Sequence, residues 1–299
     1  MILTEVTRSG YVEGTHSGHV LAVRGDGSVA LALGDVDRPL FPRSVNKPLQ
    51  AAAMLDLGWQ PANDLELALA TSSHSGEPGH LDVVRGMLGD DLTLQCPAMP
   101  PVSLDAWYDI LRAGGEATPL TMNCSGKHAA MLRTCVANGW PTETYLLPDH
   151  PLQVALREAL EAFAGERIEQ VAVDGCGAPQ TALTLFGLCR AFAGLDARVR
   201  SAMTENPWYV GGTARDDTAL MEGVPGLVAK DGAEGTFAAA LPDGSAVALK
   251  IEDGGGRART PVLIAGLRAL GVDAPVLDDL AETPVLGGGK PVGSVRVVF

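Results

Sequence analysis

Residues 43–50 read Arg-Ser-Val-Asn-Lys-Pro-Leu-Gln and lead into an alanine-rich apolar run, Ala51 to Leu57. If a helix starts there, Ser44 and Lys47 lie one turn apart on the same face. A serine hydroxyl becomes a nucleophile when a neighbouring base takes its proton. A lysine is such a base only where burial or a second cation pulls its pKa down. The competing reading is a helix N-cap serine followed by a surface lysine in the first turn. Pro48 suits a first turn, where its missing N–H costs nothing. Arg43 and Gln50 are polar on an otherwise apolar segment, which a plain core helix does not require. A catalytic Ser44 therefore demands a second cation and an oxyanion site from elsewhere in the sequence.

Three further stretches offer such groups. Thr71 to His80 holds Ser72, Ser73 and Ser75 with His74 and Glu77. It reads either as a capped loop between helices or as the source of a second hydroxyl that shuttles a proton. Met122-Asn-Cys-Ser-Gly-Lys-His128 places Cys124 and His128 four apart, on one face of a helix. A thiolate and an imidazole so placed can ligate zinc, and Cys176, in Asp174-Gly-Cys-Gly177, is the obvious third donor. The alternative is a set of plain buried thiols, and no C-x-x-C pair is present to favour structural zinc. Lys250 interrupts the apolar run Val247 to Ile251 ahead of Gly254-Gly255-Gly256. It reads as a solvent-facing strand residue or as a cation at a sheet edge, aimed at the pocket of Ser44. Ser-x-x-Lys on a helix, a serine on a loop and a lysine on a late strand are the set used by serine β-lactamases and penicillin-binding proteins.

The elements that must position these groups are partly legible. His19 to Val23 and Ser28 to Leu33 flank Arg24-Gly-Asp-Gly27, a hairpin signal. Helical patterning follows through Leu57, from Asn63 to Ala70, and over 80–88, 103–113, 126–138, 150–164, 181–192, 196–205 and 213–221. Ile168 to Val173 reads as a buried strand. Gly235 to Leu241 and Ala246 to Glu252 form a second hairpin around Pro242-Asp-Gly244. A helix over 258–270 and a strand over Val295 to Phe299 complete the pattern. The expectation is an α/β (α+β) fold with an antiparallel central sheet of N- and C-terminal strands, flanking helices and an inserted helical region. Residues 1–60 and 168–299 would form the sheet domain, and 61–167 the mainly helical part.

The chain has 299 residues, 46% of them hydrophobic, enough for a full core. A net charge of −14 argues against nucleic acid and an anionic membrane surface as partners. No apolar run reaches the roughly 18 residues of a membrane span. No basic start followed by an apolar stretch marks an export signal. Five sparse cysteines do not form a disulfide framework, so reduced thiols in a cytoplasmic protein are the expectation, with Cys135 and Cys189 in the core.

Taken in order, Arg43-Ser44-x-x-Lys47-Pro48-x-Gln50, Ser73-His-Ser-Gly-Glu77, Asn123-Cys-Ser-Gly-Lys-His128, Asp174-Gly-Cys-Gly177 and Lys250 resemble the Rhizobium etli-type L-asparaginases, the asparaginase II family. The resemblance runs over nearly the whole sequence. It implies a fold similar to glutaminases and serine β-lactamases, and hydrolysis of the side-chain amide of L-asparagine. It implies two pairs, Ser44 with Lys47 and Ser73 with Lys250, as catalytic residues. It implies a zinc site of Cys124, Lys127 and Cys176, with Arg43, His128 and Asp174 in support of substrate or metal, and a homodimer. Lys127 replaces the His128 that the spacing alone favours. Asn46 is bulkier than the small residue the family pattern leads one to expect. The rivals are a glutaminase, an esterase or a β-lactam hydrolase on the same fold, and a metal-dependent binding protein on a dead enzyme fold.

Overall fold

In the computed structural model, which describes residues 1–299, β1 (Ile2–Arg8) and β2 (Tyr11–Val23) form the first hairpin, so the sheet starts earlier than the alternation from residue 11 predicts. A register shift between Ile2 and Thr4 leaves Leu3 and Thr4 both buried and hides the period of two. The predicted turn at Arg24–Gly27 delivers β3 (Val29–Leu33) back onto β2. A 3₁₀ turn (Arg43–Asn46) then runs straight into α1 (Lys47–Asp56).

Helices α2 (Asp64–Ala70), α3 (Pro78–Leu88), α4 (Leu104–Arg112), α5 (Ser125–Asn138) and α6 (Pro151–Ala164) follow. Asn63 caps α2 by accepting from the Glu66 N–H, and Ser103 caps α4 by accepting from the Ala106 N–H. A small separate hairpin, β4 (Val171–Val173) and β5 (Pro179–Thr181), comes next. The predicted buried strand is thus short, and Val173 is 74% exposed. Helices α7 (Leu185–Ala193), α8 (Ala197–Glu205), α9 (Pro207–Val210) and α10 (Asp216–Gly223) carry the helical stretch to residue 223.

The backbone then rejoins the sheet with β6 (Val228–Gly232), β7 (Thr236–Ala240) and β8 (Ala246–Ile251). Helices α11 (Gly256–Ala269) and α12 (Pro275–Leu280) lead to β9 (Thr283–Gly287) and β10 (Lys290–Val297). The result is a mixed α/β fold. Its eight-stranded antiparallel sheet runs β6-β7-β8-β2-β1-β10-β9, with β3 alongside β2. Strands from the two ends of the sequence therefore interleave, and β1 lies between β2 and β10. Strands β6 to β8 are buried almost throughout, with α7 and α11 packed against β7 and β8 and α10 against β6. This is the pattern of strands covered on both faces. Cys135 and Cys189 lie in the core, and all five cysteines are free thiols. No helix is long and apolar enough to cross a membrane.

Helix α4 stands apart from this packing. None of its residues is buried, although Leu104, Trp107, Tyr108 and Leu111 align on one face.

Candidate active site

Five separate segments meet at the start of α1. The 3₁₀ turn brings Ser44 and runs directly into Lys47, the first residue of α1. The loop after α2 brings Ser73, the N-terminus of α5 brings Cys124 and Lys127, the turn after β4 brings Asp174 and Cys176, and β6 brings Lys230. Close helix packing makes the convergence possible. A Cβ on Gly126 would sit 2.5 Å from the Leu69 carbonyl oxygen, so only glycine lets α5 approach α2 this closely.

Lys47 is 1% exposed and forms the hub. Its ammonium donates to the Ser72 carbonyl at 2.5 Å, to Ser73 Oγ at 3.1 Å and to Cys124 Sγ at 3.2 Å. Burial drives its pKa down from the ordinary lysine value. The cations of Lys127 and Lys230 add to the drop, against the opposing pull of the Cys124 and Cys176 sulfurs. Ser44 lies one turn before Lys47 and is partly exposed, whereas Ser73 is 4% exposed. The hydroxyl that Lys47 touches is thus Ser73, not its neighbour in sequence.

Lys250 does not meet Ser73. Its ammonium donates to the Glu234 and Ile251 carbonyls and faces an open groove. The buried late-strand lysine is Lys230, which is fully buried on β6. Its ammonium lies 2.6 Å from Asp231 Oδ1 and 3.4 Å from Asp217 Oδ2. Arg215 and Arg259 reach Asp231 Oδ2 at 2.9 and 2.8 Å, and Arg215 also donates to the Ser73 carbonyl at 3.0 Å. Burial pushes the Asp231 carboxyl up, but these three cations outweigh it and hold its pKa well below the usual range. Asp217 goes the other way, raised by burial and by the neighbouring Asp231. This network is absent from the sequence-based expectation. Its signal is the one used for Lys250, a lysine in an apolar strand ending in glycine, and it stands one hairpin earlier in Val228-Ala-Lys-Asp-Gly232.

Cys124, Lys127 and Cys176 come together beside Lys47. The Lys127 ammonium donates to Cys176 Sγ at 3.1 Å. The neighbouring Cys124 thiol lowers the Cys176 pKa, helped by Lys127 and His128, while the Cys124 thiol is pushed up. His128 is fully buried, with Nδ1 2.7 Å from the Tyr145 hydroxyl and Nε2 left without a hydrogen-bond partner on the Cys176 side. The fold gathers no three His, Cys, Asp or Glu side chains in a metal-holding arrangement. A metal here would depend on the Lys127 amine as third donor. Two sulfurs and a nitrogen suit a borderline-soft ion such as zinc.

Arg43 closes the rim. Its Nε lies 2.6 Å from Asp174 Oδ1, and its φ of 54° holds it in the left-handed region, a costly conformation for an arginine.

A buried amine against a serine hydroxyl, in a mixed α/β fold built on an antiparallel sheet, is the equipment of a hydrolase. The family model described as L-asparaginase II matches residues 4–297, and the protein belongs to that family. No curated protein matches it in sequence. Among solved structures it is similar to a β-lactamase from Mycobacterium bovis. The identity is 16%, over 80% of this protein and 88% of that one, with a TM-score of 0.37.

Proposed function

We propose that the protein is an L-asparaginase, hydrolysing the side-chain amide of L-asparagine to L-aspartate and ammonia through a Ser–Lys acyl-enzyme. The observation that carries the reading is the buried Lys47 amine, 3.1 Å from Ser73 Oγ and one turn from the partly exposed Ser44. Ser44 is the nucleophile, because an attacking oxygen must meet a substrate arriving from solvent and Ser73 is enclosed. Ser44 Oγ bonds to the amide carbon as its proton passes to Lys47, which burial favours in its neutral amine form. Ser73, held by Lys47, returns a proton to the departing ammonia as the C–N bond breaks. Backbone N–H groups at the head of the 3₁₀ turn stabilise the oxyanion. Water then cleaves the Ser44 ester and releases aspartate.

Lys230 takes the part of the second cation in place of Lys250, because it is a fully buried late-strand lysine whose charge, with that of Lys127, lowers the Lys47 pKa. Arg43 and Asp174 orient the amino-acid head of the substrate from the rim, and His128 braces Cys176 from behind. Cys124, Lys127 and Cys176 would hold zinc, which would supply a positive charge beside the substrate. The homodimer belongs to the same reading and is supported by the uncovered apolar face of α4.

The deciding experiment compares ammonia release from asparagine and glutamine with the absorbance change of a chromogenic β-lactam, with mass spectrometry of the Ser44→Ala variant. Asparagine is turned over fastest. Glutamine, one methylene longer, lags by the roughly 10–200-fold that such a difference commands. A Ser44→Ala protein that keeps full turnover overturns the mechanism. Faster turnover of glutamine or the β-lactam overturns the substrate.

A further inference from the structure

Lys250 has no carboxylate partner. Its ammonium is satisfied only by two backbone carbonyls, those of Glu234 and Ile251, on the wall of a groove of about 390 Å³. That volume falls in the range of small-molecule sites. Arg38 and Arg43 line the same groove, and Glu234 is the one carboxylate among the lining residues. Arg38 is paired with Glu252 at 2.9 Å, and Arg43 with Asp174 at 2.6 Å and with Glu234 at 3.9 Å, so the cation of the groove without a carboxylate ion pair is Lys250. In a protein of net charge −14, such a concentration of cations is local and not a general property of the surface. Apart from Gln180 the remaining wall is apolar, with Phe41 and Val173 exposed along it.

The groove also abuts the reaction centre. Arg43 directly precedes Ser44 and ties the groove to Asp174. Four non-glycine residues have a positive φ, and two of them, Arg43 at 54° and Glu234 at 58°, line this groove. Left-handed backbone at such residues is retained where the surroundings demand a particular side-chain placement.

We propose that the groove is a carboxylate subsite beyond the asparagine pocket, with Lys250 as its ligand-binding cation and Arg38 beside it. The carboxylate it takes is that of a second residue joined to the substrate, as in a dipeptide with N-terminal asparagine. A free dicarboxylate offers the same chemistry. In the dipeptide reaction, water adds across the C–N bond of the asparagine amide, its oxygen going to the carbonyl carbon and a proton to ammonia, and the peptide bond stays intact. The inference rests on the asparaginase reading of Ser44 and Lys47.

The test is steady-state ammonia release from asparagine and from asparaginyl-glycine by the wild type, Lys250→Met and Lys250→Arg. The methionine keeps the aliphatic stem in β8, and circular dichroism checks the fold. The wild type hydrolyses the dipeptide. Lys250→Met raises the dipeptide KM about tenfold while moving the asparagine KM far less, and Lys250→Arg recovers most of the loss. A second arm measures succinate binding by calorimetry. Binding to the wild type but not to Lys250→Met, without dipeptide turnover, assigns the subsite to a free carboxylate. Equal loss of kcat on both substrates in Lys250→Met overturns the proposal and gives Lys250 a role in the chemistry itself. So does the absence of any Lys250-dependent effect in both arms. If the wild type releases no ammonia from asparagine, the asparaginase reading fails, and the succinate arm alone then decides the subsite.

Discussion

The Lys47 ammonium lies 3.1 Å from Ser73 Oγ and makes no hydrogen bond to Ser44, three residues before it in sequence. The lysine of the Ser-x-x-Lys turn is thus bonded across to the loop after α2. This arrangement separates an accessible hydroxyl from a buried, amine-bound one.

That separation gives different losses to the two serines. Ser44→Ala removes the acyl-enzyme altogether, so no covalent adduct appears by mass spectrometry with a slowly deacylating substrate. Ser73→Ala retains the attacking oxygen and loses the proton path, which costs about 10²- to 10⁴-fold in kcat. Lys47→Met loses at least as much. An adduct that survives in Ser44→Ala and vanishes in Ser73→Ala would reverse the two roles.

The Lys230 network predicts a stability signature. Asp231 meets three cations at 2.6 to 2.9 Å in a buried setting, and breaking such a pairing from one side costs about 3–5 kcal/mol. Asp231→Asn therefore lowers the urea midpoint markedly at pH 7. The folded-state pKa of Asp231 is held well below the ordinary aspartate value. Its stabilisation is fully present above about pH 4, where the unfolded carboxyl is ionised, and is lost as pH falls through the folded pKa. The gap between wild type and Asp231→Asn should accordingly narrow below pH 4. A gap that is constant with pH would mean that the loss comes from packing and not from charge.

These two cases also mark how far the sequence could be read. The hairpin of β2 and β3 and most of the helices follow from local pattern, because turn glycines and apolar periodicity act over a few residues. Strand β6 does not. Lys230 and Asp231 break its apolar run, and they are tolerable there only because Asp217, Arg215 and Arg259 arrive from α10, the segment before it and α11 to pair with them. For the same reason Lys250 and Lys230 carry the same signal in sequence, a lysine in an apolar strand ahead of glycine, and only Lys230 is fully buried. A charge inside a strand is decided by partners distant in sequence. The spacing of Cys124 and His128 at the head of α5 points to the thiol cluster, with Cys176 as a further donor, whereas Lys127 enters only through the family resemblance. The contact of Lys47 with Cys124 Sγ at 3.2 Å is not legible, because it joins two helices.

The thiol cluster makes a prediction separable from turnover. Protein prepared with zinc present should retain about one equivalent after desalting, measured by inductively coupled plasma mass spectrometry. Cys124→Ser, Cys176→Ser and Lys127→Met should each reduce it severalfold or more, since a three-donor site has no ligand to spare. His128→Gln should reduce it less, because His128 Nδ1 is engaged by Tyr145 and the imidazole acts only from behind Cys176. Full retention of zinc by Lys127→Met would remove lysine from the ligand set.

Helix α4 carries the last prediction. Leu104, Tyr108 and Leu111 are 67, 51 and 47% exposed along one face, and Met99 and Val102 extend the patch at its N-terminal end. A contiguous apolar surface of this kind marks an interaction site. The charges along the helix fit a second copy of itself. Asp105 stands in the first turn and Arg112 in the last, so two helices packed antiparallel about a two-fold axis set each Arg112 against Asp105 of the other copy. Light scattering coupled to size exclusion should give the mass of a dimer for the wild type and that of a monomer for Leu104→Asp. Arg112→Asp alone should weaken the dimer, and adding Asp105→Arg should restore it by exchanging the charges across the axis. Restoration by the double variant is the outcome that a merely sticky helix does not produce. A wild type that stays monomeric at every concentration would assign the face to a different partner.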